Sequence, residues 1–197
     1  MVSRIRRPFQ RESVPAAGPL AKRPTRSLAG PSTALASRVE LRAYTPGDAQ
    51  ATSVIFLRAV RETARAHYSP EQVEAWAANY GDLDSWAAAR AAAHTQLAII
   101  DGHVAGFTDL DDHGYIDMLF VDPDFGRHGV ASALLASVVA LARQRGLPAL
   151  TTFASLASRP VFERHGFVIT GERYFGKGDR AAKTYAMRCV LAGTTAP

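Results

Sequence analysis

From residue 39 onward the apolar and polar positions of this chain fall into short runs of two kinds, one alternating every second residue and one recurring every three to four. Residues 39–44 alternate as a strand. Thr45, Pro46, Gly47 and Asp48 then spell a turn and a capped helix start, and the helical period continues to about Ala66. Ser69 and Pro70, with Glu71 and Gln72 behind them, read as an N-cap and first-turn proline opening a second helix through Trp76. A third helix is expected over 82–93. Strands follow over 96–101, 104–110 and 115–121, the first two joined by Asp101 and Gly102, a pair that signals a tight hairpin. The pattern then predicts a long helix over 131–144, a strand over 149–153, a short helix near 159–165, and closing strands over 167–174 and 183–191. Strands paired first antiparallel and then joined through helices describe an α/β fold in layers.

Composition narrows the class. With 47% hydrophobic and 21% charged residues in 197, the chain is globular and of a size for one domain. Residues 1–38 differ from the rest: they hold five prolines, five serines and no sustained apolar period, so they are expected to be an unstructured tail ahead of a domain spanning 39–197. The tail carries eight Lys/Arg against one acid, a net +7, whereas the other residues carry 15 basic and 17 acidic side chains, a net −2. A slightly acidic body argues against nucleic acid as the partner and confines any attraction to polyanions to the tail. Arg and Ser richness also suits a transit peptide, but the prolines would break the helix such signals form. The longest apolar stretch, 129–142, is shorter than the roughly 20 residues a membrane span requires. A single cysteine, Cys189, permits neither an intrachain disulfide nor a thiolate zinc site, and points to a reducing compartment, the cytoplasm.

The segment YIDMLFVDPDFGRHGVASALLASV, residues 115–138, carries the chemistry. A strand ends at Val121, Asp122 and Pro123 force a turn, and the loop GRHGVA runs into a helix. Such a junction points several backbone N–H groups outward, and with the helix dipole they form a cradle for phosphate. Gly129 lets a ligand approach the backbone, and Ala131 and Ser132 keep the first turn uncluttered. Neither the GxxxxGK[ST] nor the GxGxxG phosphate motif is present.

This segment resembles motif A of the GNAT superfamily of acyl-CoA N-acyltransferases, in which a strand and V-x-P precede (Q/R)xxGx(G/A) at a helix start; here Val121, Pro123, Gly126, Gly129 and Ala131 stand at those places. Residues 155–167, SLASRPVFERHGF, are similar to motif B, and residues 39–191 match the family in length and element order, with 59–77 resembling its bacterial small-molecule branch. The resemblance implies a three-layer fold with a mixed sheet of about six to seven strands between helices. It also implies acetyl-CoA as cofactor, its diphosphate on the amides of Arg127, His128, Gly129, Val130, Ala131 and Ser132 and its pantetheine arm along Leu119, Phe120 and Val121. The acyl acceptor would be an amine of a small molecule or peptide, attacking the thioester directly; a homodimer is compatible with it, and no membrane partner is implied. The thioester would lie in a wedge between 118–121 and 151–153.

Two positions depart from the family. Gly126 replaces the usual Gln or Arg, leaving Arg127 and His128 to supply charge. Phe162 replaces the motif B tyrosine that serves as general acid; it would pack under the cofactor, and Tyr174, Ser155, Ser158 or water would have to donate the proton. Family members use a carboxylate on the preceding strand as base, and Asp117 is the one acid within 115–121. Alternation puts Tyr115, Asp117, Leu119 and Val121 on one face. His67 and Tyr68 fall where the family places its acceptor pocket, as does Tyr115. A protein that kept the cradle and lost the chemistry, a CoA-binding sensor, is the alternative that Phe162 raises.

Other residues read as structural. Trp76 and Trp86 recur at helical spacing with Val73, Ala77 and Ala89 and are expected to pack. Asp109, Asp111, Asp112 and His113 are expected to form a solvated turn, with no second ligand set to make a metal site. Cys189 alternates with Tyr185 and Met187 and is expected to be a small buried hydrophobe.

Overall fold

The hairpin signalled by Asp101 and Gly102 forms with both residues in the left-handed region, φ 48° and 78°, the conformation a two-residue turn demands. It joins β2 (Gln96–Ile100) to β3 (His103–Thr108). The structure, a computed structural model, describes residues 39–191; the expected basic tail over 1–38 and the end of the chain, 192–197, lie outside the described residues.

Along the described chain, β1 (Glu40–Ala43) leads to α1 (Ala49–Arg58), which passes into a π-helical turn at Ala59–Thr63 and a 3-10 turn at Ala64–Ala66. Next come α2 (Pro70–Ala77), α3 (Leu83–Ala92), β2, β3, the two short strands β4 (Tyr115–Ile116) and β5 (Leu119–Val121), and α4 (Val130–Gln144). The chain continues through β6 (Ala149–Ser155), α5 (Arg159–Arg164), β7 (Val168–Phe175) and β8 (Ala182–Val190). One sheet has the order β1-β2-β3-β5, all antiparallel; the other has the order β4-β6-β8-β7, with β4 parallel to β6. β4 and β5 are two halves of the single strand expected over 115–121, one half in each sheet. Counted that way the α/β fold has the seven strands the pattern gave.

The second helix starts at the cap expected for it, and the third is capped by Asp82, the first residue of the helix expected over 82–93. Ser69 Oγ accepts the Gln72 amide at 3.3 Å while Gln72 Oε1 accepts the Ser69 amide at 2.9 Å, and Asp82 accepts the Ser85 amide at 2.9 Å. In α4, Val130, Leu134, Leu135, Val138 and Ala142 are buried on one face. The helix ends as Gly146, φ 67°, lets Leu147 donate back to Ala142 O at 3.0 Å.

Three layers follow. Helices α1 to α3 cover one face of the first sheet, where Ile55, Phe56, Val73 and Trp86 pack on Leu97 and Phe107. α4 covers the other face, Val130 and Leu134 lying on Ala98, Ile100 and Ala105. The second sheet packs on α4 and α5 through Leu135, Val138, Leu150, Phe162, Phe167 and Met187. Gly106 marks the tightest approach: a Cβ there would stand 2.7 Å from Phe120 O and 2.9 Å from Val130 Cγ1, so only glycine lets β5 and α4 close on β3.

A charged cluster fixes where α1 begins. Arg42 donates to both Asp48 oxygens, at 2.8 and 2.7 Å, and Asp48 also accepts the Thr45 amide and hydroxyl, each at 2.8 Å. Arg42, and then Thr45, hold the Asp48 carboxyl well below the usual carboxylate range. A group depressed in the folded state contributes stability above its unfolded pKa, near 4 for Asp, and loses it as pH falls toward the folded value. Asp48→Asn is therefore expected to lower stability by about 1–2 kcal/mol at pH 7, and the gap from wild type should narrow below pH ~4. Thermal melts at pH 7 and pH 3 check this; a gap unchanged by acid would contradict it.

Candidate active site

The strand break between β4 and β5 is where the two sheets part, and it leaves two consecutive amides without a ladder partner. A single carboxylate takes both: Asp109 Oδ1 accepts the amides of Asp117 at 3.0 Å and Met118 at 2.9 Å. Its other oxygen binds Arg90 of α3 at 2.7 Å, and the two side chains are only 3% and 6% exposed. Thr108 Oγ1 and the Asp109 amide both donate to Met118 O, at 2.8 and 3.2 Å, which fastens the break to β3. Burial pushes the Asp109 carboxyl upward, and the Arg90 guanidinium and the two amides pull it back. Asp109 is thus no member of a solvated turn, as its Asp-rich surroundings suggest; it is the buried anchor of the break.

The break also shifts the side-chain alternation. Tyr115, Asp117 and Met118 line a cavity beside Phe56 and Trp76, and Phe120 packs on those same two rings. Leu119 and Val121 turn to the opposite side, against the cluster of Val130 and Leu134. The four alternate residues 115, 117, 119 and 121 therefore do not share one face: an irregularity of one residue flips every side chain beyond it. On the 118–121 side the gap lies where expected, but on β6 it opens only past Thr152, because Tyr115 and Ile116 pair with Thr151 and Thr152.

Beyond that pair lies a cleft of about 230 Å³. One wall is β5. Asp122 N–H bonds Ala105 O at 2.9 Å and Met118 O faces β3, so the period of two turns the N–H and C=O of Leu119 and Val121 away from β3, toward the cleft. Ser155, Ala157, Ser158 and Val161 form the other wall, and Ala59, Val60, Thr63 and Ala64, from the π and 3-10 turns after α1, form the roof. Ser155 and Ser158 hydroxyls lie 2.9 Å apart, each also taking the other's amide at 3.0 Å.

The floor of the cleft runs through Pro123 and Gly126 to Ala131, at the start of α4. Arg127 and Gly129 both have positive φ, 63° and 80°, and the first turn closes only when Ala133 N–H reaches Gly129 O at 2.9 Å. Alternating left-handed residues before a helix start turn successive amides to one side, the arrangement that holds anions. Arg58 keeps nearby carboxylates from opposing this: its guanidinium contacts Asp122 at 2.7 and 2.8 Å and Asp124 at 3.1 Å, tying α1 to the loop.

The second cavity, about 200 Å³, lies under α2 and α3. Phe56, Trp76, Tyr80, Trp86 and Tyr115 supply rings, and Asp117 and Asp111 supply carboxylates. Trp76 lines both spaces, so the cavity and the cleft are neighbours that share this residue.

Residues 64–189 match the family model described as an acetyltransferase (GNAT) domain. The chain belongs to the GNAT acetyltransferase family. It is 44% identical over 131 residues to the uncharacterized N-acetyltransferase YafP of Escherichia coli (strain K12), across 66% of this chain and 82% of that protein. Among solved structures, a GCN5-related N-acetyltransferase from Rhodopseudomonas palustris is 32% identical with a TM-score of 0.73, over 77% of this chain and 95% of that one. The PaiA N-acetyltransferase from Thermoplasma acidophilum, solved in complex with coenzyme A, shares the fold at 15% identity and a TM-score of 0.64, over 78% and 99% of the two chains.

Within this GNAT fold, the residues singled out from the sequence separate into groups. Leu119, Phe120, Val121 and Ala131 line the cleft, while Arg127, His128 and Gly129 stand exposed on the loop below it, with Val130 buried and Ser132 half-buried in the first turn of α4. Asp117 and Tyr115 line the cavity. His67 is exposed at the end of the 3-10 turn and lines neither space. Tyr68 is buried, its hydroxyl donating to Lys183 O at 2.7 Å and accepting from Leu156 N at 2.9 Å, which ties the loop after β6 to β8. Phe162 is 2% exposed, its ring edge-on to Phe167 at 5.1 Å in the second core. Tyr174 is 62% exposed on β7, outside both spaces. Trp76 and Trp86 pack as expected but also wall the cavity, which helical spacing alone does not reveal. The Arg90–Asp109 pair carried no sequence signal beyond an arginine on an otherwise alanine-rich helix.

Removing one partner of a buried pair leaves the other charge uncompensated. Asp109→Ala also orphans two amides, so it is expected to cost about 3–5 kcal/mol in urea unfolding. Asp109→Asn, which keeps an acceptor oxygen, should cost less. Equal and small losses for both would contradict the role of Asp109 at the break.

Proposed function

We propose that the chain transfers the acetyl group of acetyl-CoA to a primary amine of a small molecule or peptide by direct attack. The observation that carries this reading is the sharing of Trp76 by the two spaces, one edged by strand backbone without a neighbour and a left-handed glycine loop, the other holding a carboxylate. The backbone groups of Leu119 and Val121 would pair with the amide-bearing pantetheine arm as a further strand would. Amides at the start of α4 would take the diphosphate, Arg127 and His128 adding charge where Gly126 brings no side chain. That PaiA, which shares the fold, was solved in complex with coenzyme A supports a coenzyme A donor.

Acetyl-CoA would supply a thioester carbonyl next to the bound amine. Asp117 then accepts the ammonium proton, freeing the nitrogen lone pair, and main-chain N–H groups of β5 stabilise charge on the carbonyl oxygen. Proton return to the departing thiolate falls to the Ser155–Ser158 pair or to water, since Phe162 has no acidic proton and Tyr174 stands away from the cleft. Holding both reactants in neighbouring spaces supplies much of the acceleration, which the missing phenol does not remove. In this reading the domain from residue 39 works in the cytoplasm, where the buried thiol of Cys189 stays reduced. A CoA-binding sensor is the second reading, and it draws on Phe162.

Asp117→Asn is expected to lower turnover by about 10²–10⁴-fold with CoA binding retained, measured by thiol release and by thermal shift. Gly129→Glu puts a carboxylate and a strained backbone into the anion cradle and should abolish the CoA-dependent shift. A near-normal rate for Asp117→Asn would leave that residue with a structural role. A CoA-dependent shift in wild type without release from any amine would favour the sensor.

A further inference from the structure

We infer that the acceptor is a cationic amine carried on a single-ring aromatic body that bears no carboxylate, bound in the cavity under α2 and α3; the inference rests on the acetyltransferase reading for what happens to that amine. Size comes first. A dry cavity of about 150 Å³ takes one benzene, so about 200 Å³ has room for one ring and a short arm. A peptide, an aminoglycoside or an extended polyamine does not fit within it.

The walls decide the body. Trp76, Tyr80 and Trp86 enclose the space with Phe56 and Tyr115, and the rings are held in place rather than free to collapse. Trp86 donates Nε1–H to Thr52 Oγ1 at 3.0 Å and packs against Phe56 at 5.1 Å and Tyr80 at 5.5 Å. Trp76 is fixed edge-on between Tyr68 at 5.7 Å and Phe120 at 6.4 Å. A flat ring gains offset and edge contacts in such a box, and a cation gains the ring faces.

The charges decide the head group. The described residues lining the cavity include three carboxylates, Asp109, Asp111 and Asp117, and one guanidinium, Arg90, a balance of −2. Arg90 is already bound to Asp109 at 2.7 Å. An ammonium is drawn in, and a carboxylate on the ligand is repelled. The Tyr115 hydroxyl is a further observation: on a side chain that lines the cavity, it is buried and meets no hydrogen-bond partner among the described residues. A buried hydroxyl left so costs stability, and an ammonium N–H can donate to its oxygen.

The chain's two tryptophans both line the cavity, so their fluorescence reads occupancy without any turnover. With the CoA-saturated protein, 2-phenylethylamine is expected to give a saturable change with a Kd at least tenfold lower than phenylalanine, which adds only a carboxylate, and than spermidine, which lacks the ring. Asp111→Asn keeps the oxygen that accepts the His113 and Tyr115 amides, at 2.8 and 2.9 Å, and is expected to weaken the amine three- to tenfold through loss of charge alone. Phenylalanine or spermidine binding as tightly, no saturable change with the amine, or an unchanged Kd in Asp111→Asn would each overturn the inference. Binding in the expected order without thiol release would uphold the ligand class and overturn the acetyltransferase reading. Release with equal kcat/KM from all three amines would do the reverse.

Discussion

A strand cannot leave one neighbour for another without exposing the amides at the crossing point, and in this protein one buried carboxylate takes both of them. Asp109 holds the amides of Asp117 and Met118 while Arg90 matches its charge, all of it away from water. Neutralising the site with apolar side chains would remove the charge and leave the amides orphaned, so the pair is fixed by the backbone it serves. Everything functional lies on one side or the other of that break. Upstream, β4 stays with β6 and carries Tyr115 into the cavity; downstream, β5 stays with β3 and turns two backbone edges toward the cleft.

The two spaces are made differently, and the difference suits their tasks. The cleft offers main-chain groups, a π turn for a roof and a loop with two left-handed residues, features that in the proposed reading would take a shared cofactor by shape and backbone charge. The cavity offers side chains from α1, α2, α3 and β4, and of these only Arg90 also serves the strand break, through Asp109. In the proposed reading Trp76, common to both, is where an acceptor chosen by side chains would meet a donor chosen by backbone.

Much of this was legible in the chain itself. The cap at Ser69, the hairpin at Asp101-Gly102 and the stripe of α4 are local signals, and the elements form where those signals stand. The loop from Val121 to Ala131 was legible because its glycine spacing is itself local. The break at Asp117 was not, since nothing in 115–121 departs from a strand; the cause lies eight residues upstream in an aspartate that reads as a turn residue. The cavity was hidden for a similar reason. Trp76 and Trp86 have the spacing of packing residues, and only the tertiary arrangement shows that their packing leaves a hollow between them. Tyr68, which reads as a pocket residue by its place in the chain, has its hydroxyl engaged by Leu156 and Lys183 instead.

The claim on which this account stands is that the break in the strand creates a cofactor edge at β5 and an anion cradle at α4. Amide hydrogen exchange, followed with and without CoA, tests it most directly. The account predicts that Asp117 and Met118 exchange slowly in both states, while Leu119, Val121 and Val130 through Ser132 gain protection only when CoA is added. Protection that appears elsewhere and leaves those amides unchanged would contradict it.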